Sequence, residues 1–560
     1  MKRASLLFVL FLIISPEVSL LRAQGEPFSM RVVTTGLNFP WEITWGPDGY
    51  IWTTERVGKR VTRVDPITGS KTTAITITEV YQSAGQDGLL GMALHPELLQ
   101  GTGNDYVFVA YTYDNDPTAG VDRRTKLRRY TYNSGTQTLG SPVDIITNIP
   151  ASNDHNSGRL KIGPDLKLYY TVGDLGANQF SNMCNTIRSQ DIPSAAEVAA
   201  LDWTKYQGKI LRLNMDGSIP VDNPTISGVK SHIYSYGHRN AQGIVFGSNG
   251  KLYADEHGPK SDDEINLIQA GKNYGWPRVA GAIDGDYYEY ANWSASSPTP
   301  CASLTYSDYT IPASVPRQSE FSFSSPDFEP PMRTIFTVDT AYNFQDPLCS
   351  GNYFICWPTV APSSIDIYEN NTTGIPGWAN SLMVISLKKG RMYRFQLSSD
   401  GNSITADTVG YWYTQNRYRD ITLNPDGITF YVSTDNTGST SGPSGGSTSA
   451  LSNPGAILEF TYTGTVLDLE DNRERPRLVR DLIRIYPNPV QDVVHVHGIK
   501  ELRKPLRAEI YDITGRLRKK VISSRNDFTI DLTTFEKGVY LLRLINGSEQ
   551  EVQVEKIIKQ

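Results

Sequence analysis

One short pattern returns four times in this chain. It reads "WGPDGYIWTTE" from Trp45, "IGPDLKLYYTVGD" from Ile162, "FGSNGKLYADEHG" from Phe246 and "LNPDGITFYVSTD" from Leu423. Each copy sets an apolar residue before a turn of Gly, Pro, Asp or Asn, then alternates apolar side chains. Such turns reverse the chain, and period-two alternation lays one face of the next strand on a core. A second strand type runs out into a polar turn, in "RVTRVDPITGS", "LRRYTYNSGTQTL", "ILRLNMDGSI" and "MYRFQLSSDGNSI". Repeated pairs at long, irregular intervals fit propeller blades with inserted loops, and propeller sites are built from loops near the central channel. An array of β-sandwiches is the alternative and accounts less well for two paired strand types.

At 560 residues the chain has room for one large and one smaller domain. Its 53 basic and 59 acidic residues, net charge -6, exclude a general nucleic-acid binder, which shows a basic excess. Lys2 and Arg3 precede an apolar run, Leu6 to Ile14, that is too short to span a bilayer, so residues 1–23 read as a secretory signal. Residues 24–463 form the expected propeller, with 436–454 as a Gly/Ser-rich surface loop inside it. Residues 464–482 are a charged linker, and 483–560 alternate as strands of a small β-sandwich holding His495 and His497 but no convergent catalytic set. Export permits disulfides. Cys349 and Cys356 flank a short loop that a bridge can close, while Cys184 and Cys301 either pair or stay free.

His155, in "SNDHNSGRL", is the best candidate general base: imidazole accepts protons near neutral pH, and Asp154 stands beside it. Asp174 follows a strand and is placed to orient that ring, although aspartate is also a common turn residue. Arg239, in "YGHRNAQG", suits developing negative charge on oxygen. "DEHGPKSDDEINL" offers carboxylates and loop carbonyls to a hard cation such as calcium, without EF-hand spacing. Lys388, Arg417 and Arg419 put cations at strand ends, and arginines two apart share a strand face and suit carboxylate recognition. Trp357, beside proline-rich loop sequence, lines a pocket or packs. Read from residues alone, this is an exported, calcium-binding propeller with one base and a cluster of cations.

"GQDGLLGMALHP", "DHNSGRLKIGPD", "SHIYSYGHRNAQG", "GPKSDDEINLI", "NYGWPRVAG", "ICWPTVAPSS", "SLKKG" and "NRYRD", in that order, resemble the soluble glucose dehydrogenases that depend on pyrroloquinoline quinone (PQQ). That family has six-bladed propellers, and the likeness runs from about Leu37 to Tyr462. It implies that His155 takes the proton of a sugar's anomeric hydroxyl, with Asp174 holding it and Arg239 at the quinone oxygen. Gln86, Asp154 and Gln179 correspond to polar groups around the sugar and Trp357 to its aromatic wall. Asn240, Thr359, Lys388, Arg417 and Arg419 match contacts to the quinone and its carboxylates. Carbonyls of Gly258 and Pro259 match calcium ligands. Glu264, Tyr274, Ala280, Asp284 and Glu320 match ligands of further calcium sites that support a homodimer, with Ala282 where the family has tyrosine. The Cys349–Cys356 spacing matches a family disulfide.

Departures gather at the pocket: Asn156 for glutamine, Phe180 for leucine, Phe354 for tyrosine and His257 for glutamine. They leave the preferred sugar open, because losing one hydroxyl contact shifts specificity. "YPNPVQD", "IYDITGRL" and "KGVYLLRL" resemble the type A sorting domain of the type IX secretion system, which implies passage across the outer membrane to the cell surface or medium. The expected activity is oxidation of aldoses at C1 to lactones, passing electrons to an unknown acceptor. A calcium-dependent propeller lactonase and a non-catalytic carbohydrate-binding propeller are the alternatives.

Overall fold

The computed structural model describes residues 27–83, 85–369, 374–388, 390–406, 408–439, 450–464, 484–487, 489–497, 505–512, 516–525, 527–545 and 551–560. The signal segment, most of the linker and residues 440–449 of the Gly/Ser-rich loop lie outside them. The chain divides into two compact units, 1–467 and 468–560.

The four repeats are four equivalent hairpins. In the first, Gly46 N–H donates to Tyr50 O (2.8 Å), Gly49 N–H to Gly46 O (3.0 Å), and Asp48 accepts from Tyr50 N–H. The same ladder recurs at Gly163/Leu166, Gly247/Gly250 and Asn424/Gly427. Each turn joins the first and second strands of a four-stranded antiparallel sheet: Pro40–Trp45 to Ile51–Glu55, Ser157–Ile162 to Leu168–Val172, Ala241–Phe246 to Leu252–Glu256, and Tyr418–Leu423 to Thr429–Thr434. Two further sheets begin with Leu89–Leu94 and Pro362–Tyr368. The described residues of this unit thus hold six four-stranded sheets, and in cyclic order the first strand of each adjoins the first strand of the next. The arrangement is propeller-like and almost wholly β.

Apolar alternation fills the space between neighbouring sheets. Trp52 and Val61 meet Leu89 and Met92 at one junction; Phe108 and Leu127 meet Leu160 and Tyr170 at the next. Ile210 meets Ile244, Ile265 meets Ile365, Met383 meets Phe430, and Tyr431 meets Ile51. Near the axis the first strands approach so closely that only glycine fits. A Cβ on Gly91 would lie 2.3 Å from Gly158 O, and one on Gly243 2.5 Å from Ile365 N. The ring is closed by the N-terminal strand Phe28–Thr34, which pairs antiparallel with Ile457–Tyr462 as the outer strand of the last sheet.

The second unit has a three-stranded sheet (Arg484–Tyr486, Val493–His497, Asp527–Asp531) and a four-stranded sheet (Leu506–Asp512, Leu517–Ser523, Gly538–Ile545, Glu551–Lys559). Val494 and Ile530 from one share a core with Ile510 and Leu542 from the other.

Candidate active site

First and second strands run antiparallel, so the start of each first strand and the end of each second strand fall at one end of the ring. His155, Arg239, Asn240, Thr359 and Arg417 precede or open first strands. Asp174, His257, Gly258, Pro259 and Lys388 follow second strands. The topology therefore collects at one face residues scattered over some 260 positions (155 to 417).

His155 is buried, with φ 44°, and Ser157 has φ 52°, two non-glycine residues in the left-handed region. Such conformations cost free energy and persist where the surroundings impose them. Asn156 staples the loop: its side chain accepts from Ser152 N–H (2.9 Å) and donates to Ser152 O (2.8 Å). His155 Nδ1 lies 2.8 Å from Asp174 Oδ1. The other carboxylate oxygen, Oδ2, accepts from Trp276 Nε1 (2.9 Å), and Gly176 N–H donates to Oδ1 (2.9 Å). An ionised carboxylate only accepts, so Nδ1 carries the proton and Nε2 keeps a lone pair. Nε2 faces Gln179 Nε2 at 3.4 Å and Asp154 Oδ1 at 3.9 Å. Asp154 in turn accepts from Gln86 Nε2 (2.5 Å) and Gln179 Nε2 (3.1 Å). Burial pushes the Asp154 carboxyl up, but His155, Arg239 and the Gln179 hydrogen bond outweigh it and hold the carboxyl below its usual range.

Arg239 is buried yet poorly satisfied. Its Nη1 stands 3.4 Å from His257 O, its Nη2 3.4 Å from Gln179 Oε1, and its Nε has no partner. The guanidinium lies over the Trp276 ring at 5.3 Å. Asn240 Oδ1 accepts from Ser157 N–H (3.1 Å) and Gln242 Nε2 (2.9 Å), whereas its buried Nδ2 has no acceptor. His257 Nε2 donates to Pro362 O (2.8 Å); burial, with Arg239 and His155 adding, drives its pKa well below the usual imidazole range.

Beyond lies a group of cations. Arg419 pairs with Asp435 through Nε (3.0 Å) and Nη2 (2.8 Å), and Arg417 reaches the same carboxylate at 3.4 Å. Lys388 Nζ donates to Thr359 Oγ1 (2.5 Å) and Trp357 O (3.1 Å); burial pulls it down to about 7, opposed by Asp263 and assisted by Arg417. Arg56, also depressed chiefly by burial, is lowered further by Arg419. Buried, mutually repelling cations with few counter-charges are costly, and a polyanion relieves them.

The calcium-directed residues fall into two neighbouring groups. Gly258, Pro259, Glu264, Tyr274 and Ala280 line one small hollow. Tyr274 donates its hydroxyl to Leu267 O, leaving only its backbone for a cation. Glu264 accepts from Gly281 N–H (2.8 Å) and Glu320 from Ala280 N–H (3.0 Å). Glu320 Oε2 is buried with no partner, and burial plus the charge of Asp284 raises Glu320 to about 7. Gathered carboxyls suit a divalent cation, and among the described residues Arg239 is the one fixed cation lining the same hollow as Glu264. Among the described residues no group of three or more His, Cys, Asp or Glu side chains stands at metal-holding spacing.

Phe180 and Phe354 are 57 % and 51 % exposed, whereas Trp357 is buried and donates Nε1 towards Tyr309 Oη and Phe344 O, both at 3.2 Å. Both cysteine pairs are bonded, Cys184–Cys301 as well as Cys349–Cys356, which decides the pairing that spacing left open. Sequence reasoning missed Arg56, Trp276, Glu256 and Asp435. Two of these had a visible signal, because every quoted repeat ends its second strand near an acid: Glu55, Asp174, Glu256 and Asp435. Each acid holds the segment before its own first strand. Glu55 accepts from Asn38 N–H (2.6 Å), Glu256 from Asn240 N–H (3.1 Å), Asp174 from the His155 ring, and Asp435 from Arg417 and Arg419.

Comparison with known proteins gives the class to which such a ring and such a face belong, that of the sugar dehydrogenases. The profile of the family described as Glucose / Sorbosone dehydrogenase matches residues 37–314 and 335–441, and that described as Secretion system C-terminal sorting domain matches 484–560. The chain belongs to the glucose/sorbosone dehydrogenase family and carries a C-terminal sorting domain. It is 44% identical over 444 residues to quinoprotein glucose dehydrogenase B of Acinetobacter calcoaceticus, covering 79% of this chain and 92% of that protein. It is 26% identical to the aldose sugar dehydrogenase YliI of Escherichia coli, covering 74% and 92%. The PQQ-bound aldose sugar dehydrogenase of Streptomyces coelicolor superposes with TM-score 0.51 at 26% identity, covering 78% of this chain and 98% of that one.

Proposed function

We propose that this chain is an exported quinoprotein that oxidises aldoses at C1 to lactones, with PQQ and calcium as cofactors. Its catalytic part is read as a six-bladed propeller spanning 24–463, joined through 464–482 to a β-sandwich, 483–560, that addresses the chain to the type IX secretion machinery and so to the cell surface or medium. The observation that carries the reading is the buried cation group beside a carboxylate-held imidazole. Arg56, Lys388, Arg417 and Arg419 meet chiefly Asp435 and Asp263, while Arg239 Nε and Asn240 Nδ2 lack partners. A flat tricarboxylate with ring carbonyls supplies anions to the first set and acceptors to the second.

PQQ, when bound, supplies the two-electron acceptor chemistry. Lys388, Arg417, Arg419, Thr359 and Asn240 would hold it, Arg239 and His257 would border it, and Gly258 and Pro259 would present carbonyls to calcium. His155 Nε2 takes the proton of the anomeric hydroxyl, which leaves the C1 hydrogen to depart as hydride. Asp174 holds the ring so that Nε2 faces the sugar. Gln86, Asp154 and Gln179 bind and orient the other hydroxyls, Phe180, Phe354 and Trp357 flank them, and Arg239 stabilises negative charge on oxygen. Glu264, Tyr274, Ala280, Ala282, Asp284 and Glu320 are read as ligands of further calcium ions in a homodimer.

The test is reconstitution. Apoprotein given calcium and PQQ should unfold at a higher temperature and reduce a dye with glucose. Lactone hydrolysis indifferent to PQQ, with no thermal shift, would sink the reading.

A further inference from the structure

One carboxylate holds together two loops that belong to neighbouring sheets. Asp263 opens the third strand of its sheet, Asp263–Ile268, and is fully buried. Its Oδ1 accepts from Gly258 N–H (2.9 Å), in the turn that follows Leu252–Glu256. Its Oδ2 accepts from Val360 N–H (2.5 Å) and Ala361 N–H (3.0 Å), which lead into the first strand of the next sheet, Pro362–Tyr368. His257 Nε2, donating to Pro362 O, is a second crossing between the same loops.

Each loop bears residues of the cofactor face beside these bonds. Gly258 and Pro259 are the calcium-directed carbonyls, and Thr359 directly precedes Val360. Lys388 is drawn onto the second loop twice, through its N–H to Val360 O (3.1 Å) and its Nζ to Thr359 Oγ1 (2.5 Å). Neither loop is relaxed. Asp262 (φ 59°) and Ala361 (φ 52°) are non-glycine residues in the left-handed region, and a Cβ on Gly258 would lie 1.8 Å from Ser261 O. Such backbone keeps its shape only where its surroundings fix it. Three N–H groups on one buried carboxylate fix it firmly, because hydrogen bonds to a charged acceptor are worth more than neutral ones.

We propose that Asp263 is a positioning residue that locks the 257–262 loop onto the 359–361 loop, so that the calcium-directed carbonyls and the Thr359–Lys388 pair are set against each other before calcium or PQQ arrives. The role rests on the dehydrogenase reading and deepens it. Asp263 acts through its neighbours, since both of its carboxylate oxygens are engaged by backbone N–H groups. The order it imposes is preorganisation that a ligand spanning both loops need not supply. Asp263→Leu fills the space and removes all three bonds. Asp263→Asn keeps one acceptor oxygen, so it can hold one loop but not both, and its amide turns a donor towards donors.

Both variants should bind PQQ about tenfold more weakly at saturating calcium, by calorimetric titration of the apoprotein, because that ligand needs both loops in place. Amide hydrogen exchange of the apoprotein, without either ligand, reads the tie itself. In the wild type the 359–361 amides should exchange slowly. Asp263→Leu should speed exchange in both loops and Asp263→Asn in at least one, with the Ser157–Ile162 sheet unchanged. A lower unfolding temperature with PQQ affinity intact would make Asp263 merely structural and overturn the proposal. Fast exchange at 359–361 in the wild type, or acceleration spread over the whole ring in the variants, would overturn it as well. Failure of the wild type to bind PQQ at all would sink the dehydrogenase reading instead, while the exchange measurement would still judge the tie.

Discussion

A carboxylate that can only accept decides which nitrogen of His155 is free. Replacing Asp174 by asparagine keeps the size but offers an amide that can donate to Nδ1, and the ring then places its proton on Nε2. Asp174→Asn and His155→Ala should each lower turnover by about 10²–10⁴, the usual worth of a positioned base, with little change in PQQ affinity. Steady-state rates beside a cofactor titration check this, and unchanged turnover refutes the role. Lys388 gives a pH prediction. Burial lowers it from 10.5 to about 7, so above that value it is neutral in the apoprotein. Between about 7 and 10.5 the unfolded chain holds a proton that the folded apoprotein has lost, so the Lys388 contribution to apoprotein stability rises with pH across that window. An anion seated beside Lys388 recharges it. PQQ binding should therefore take up a proton and weaken as pH climbs above about 7, and Lys388→Met should flatten that dependence. Calorimetry in buffers of different ionisation enthalpy reads the uptake.

At the scale of strands and turns, the repeat does two jobs. Its turn reverses the chain, and its terminal acid ties down the loop that carries a functional residue. Glu256 shows the second job most completely: it accepts from Arg239 N–H, from Asn240 N–H and from His238 Nδ1 (2.9 Å) while 2 % exposed. Glu256→Ala leaves several buried donors unpaired and should cost about 3–5 kcal/mol, read by urea unfolding. A cost below about 1 kcal/mol would mean that those donors find other partners. Hairpins of this kind were legible in the sequence because turn chemistry and alternation are local. His155, Arg239 and the Arg417/Arg419 pair could also be picked out, since their neighbours carry chemical information. Arg56 could not, because its role depends on which sheets the ring brings together. The pairing of Cys184 with Cys301 was likewise hidden, as loop closure over 117 positions leaves no local trace. Neither was the closing strand Phe28–Thr34 legible, which reads as any exposed strand until its partner, more than 420 residues away, is known.

Over the whole molecule, one side chain joins most of the ring. Arg159 leaves the sheet that begins at Ser157 and reaches Glu42 Oε2 (2.6 Å), Asp420 Oδ1 (3.0 Å), Gln242 O (2.9 Å) and Ser363 O (3.0 Å), four contacts in four other sheets. It is 1 % exposed and stacked over Trp41 at 4.3 Å. Its fork is what permits this, because the single ammonium of lysine cannot span four directions. Burial raises Asp420 to about 6, and Arg159 is the largest influence holding it down. Arg159→Met fills the space but removes that influence and leaves the neighbouring carboxyls of Glu42 and Asp420 with Lys161, 2.9 Å from Glu42 Oε1, as their remaining counter-charge. Breaking a buried charge set in this way should cost about 3–5 kcal/mol near neutral pH. The sign of its pH dependence follows from Asp420. A carboxyl whose folded pKa lies above its unfolded value of 3.8 destabilises the fold increasingly as pH rises through that interval, and the variant widens the interval. Part of the loss should therefore return on acidification, with the variant closer to wild type at about pH 5 than at about pH 8 when urea unfolding is compared. A deficit that is the same at both would mean that the lost hydrogen bonds, and not the exposed like charges, set the cost of opening the ring.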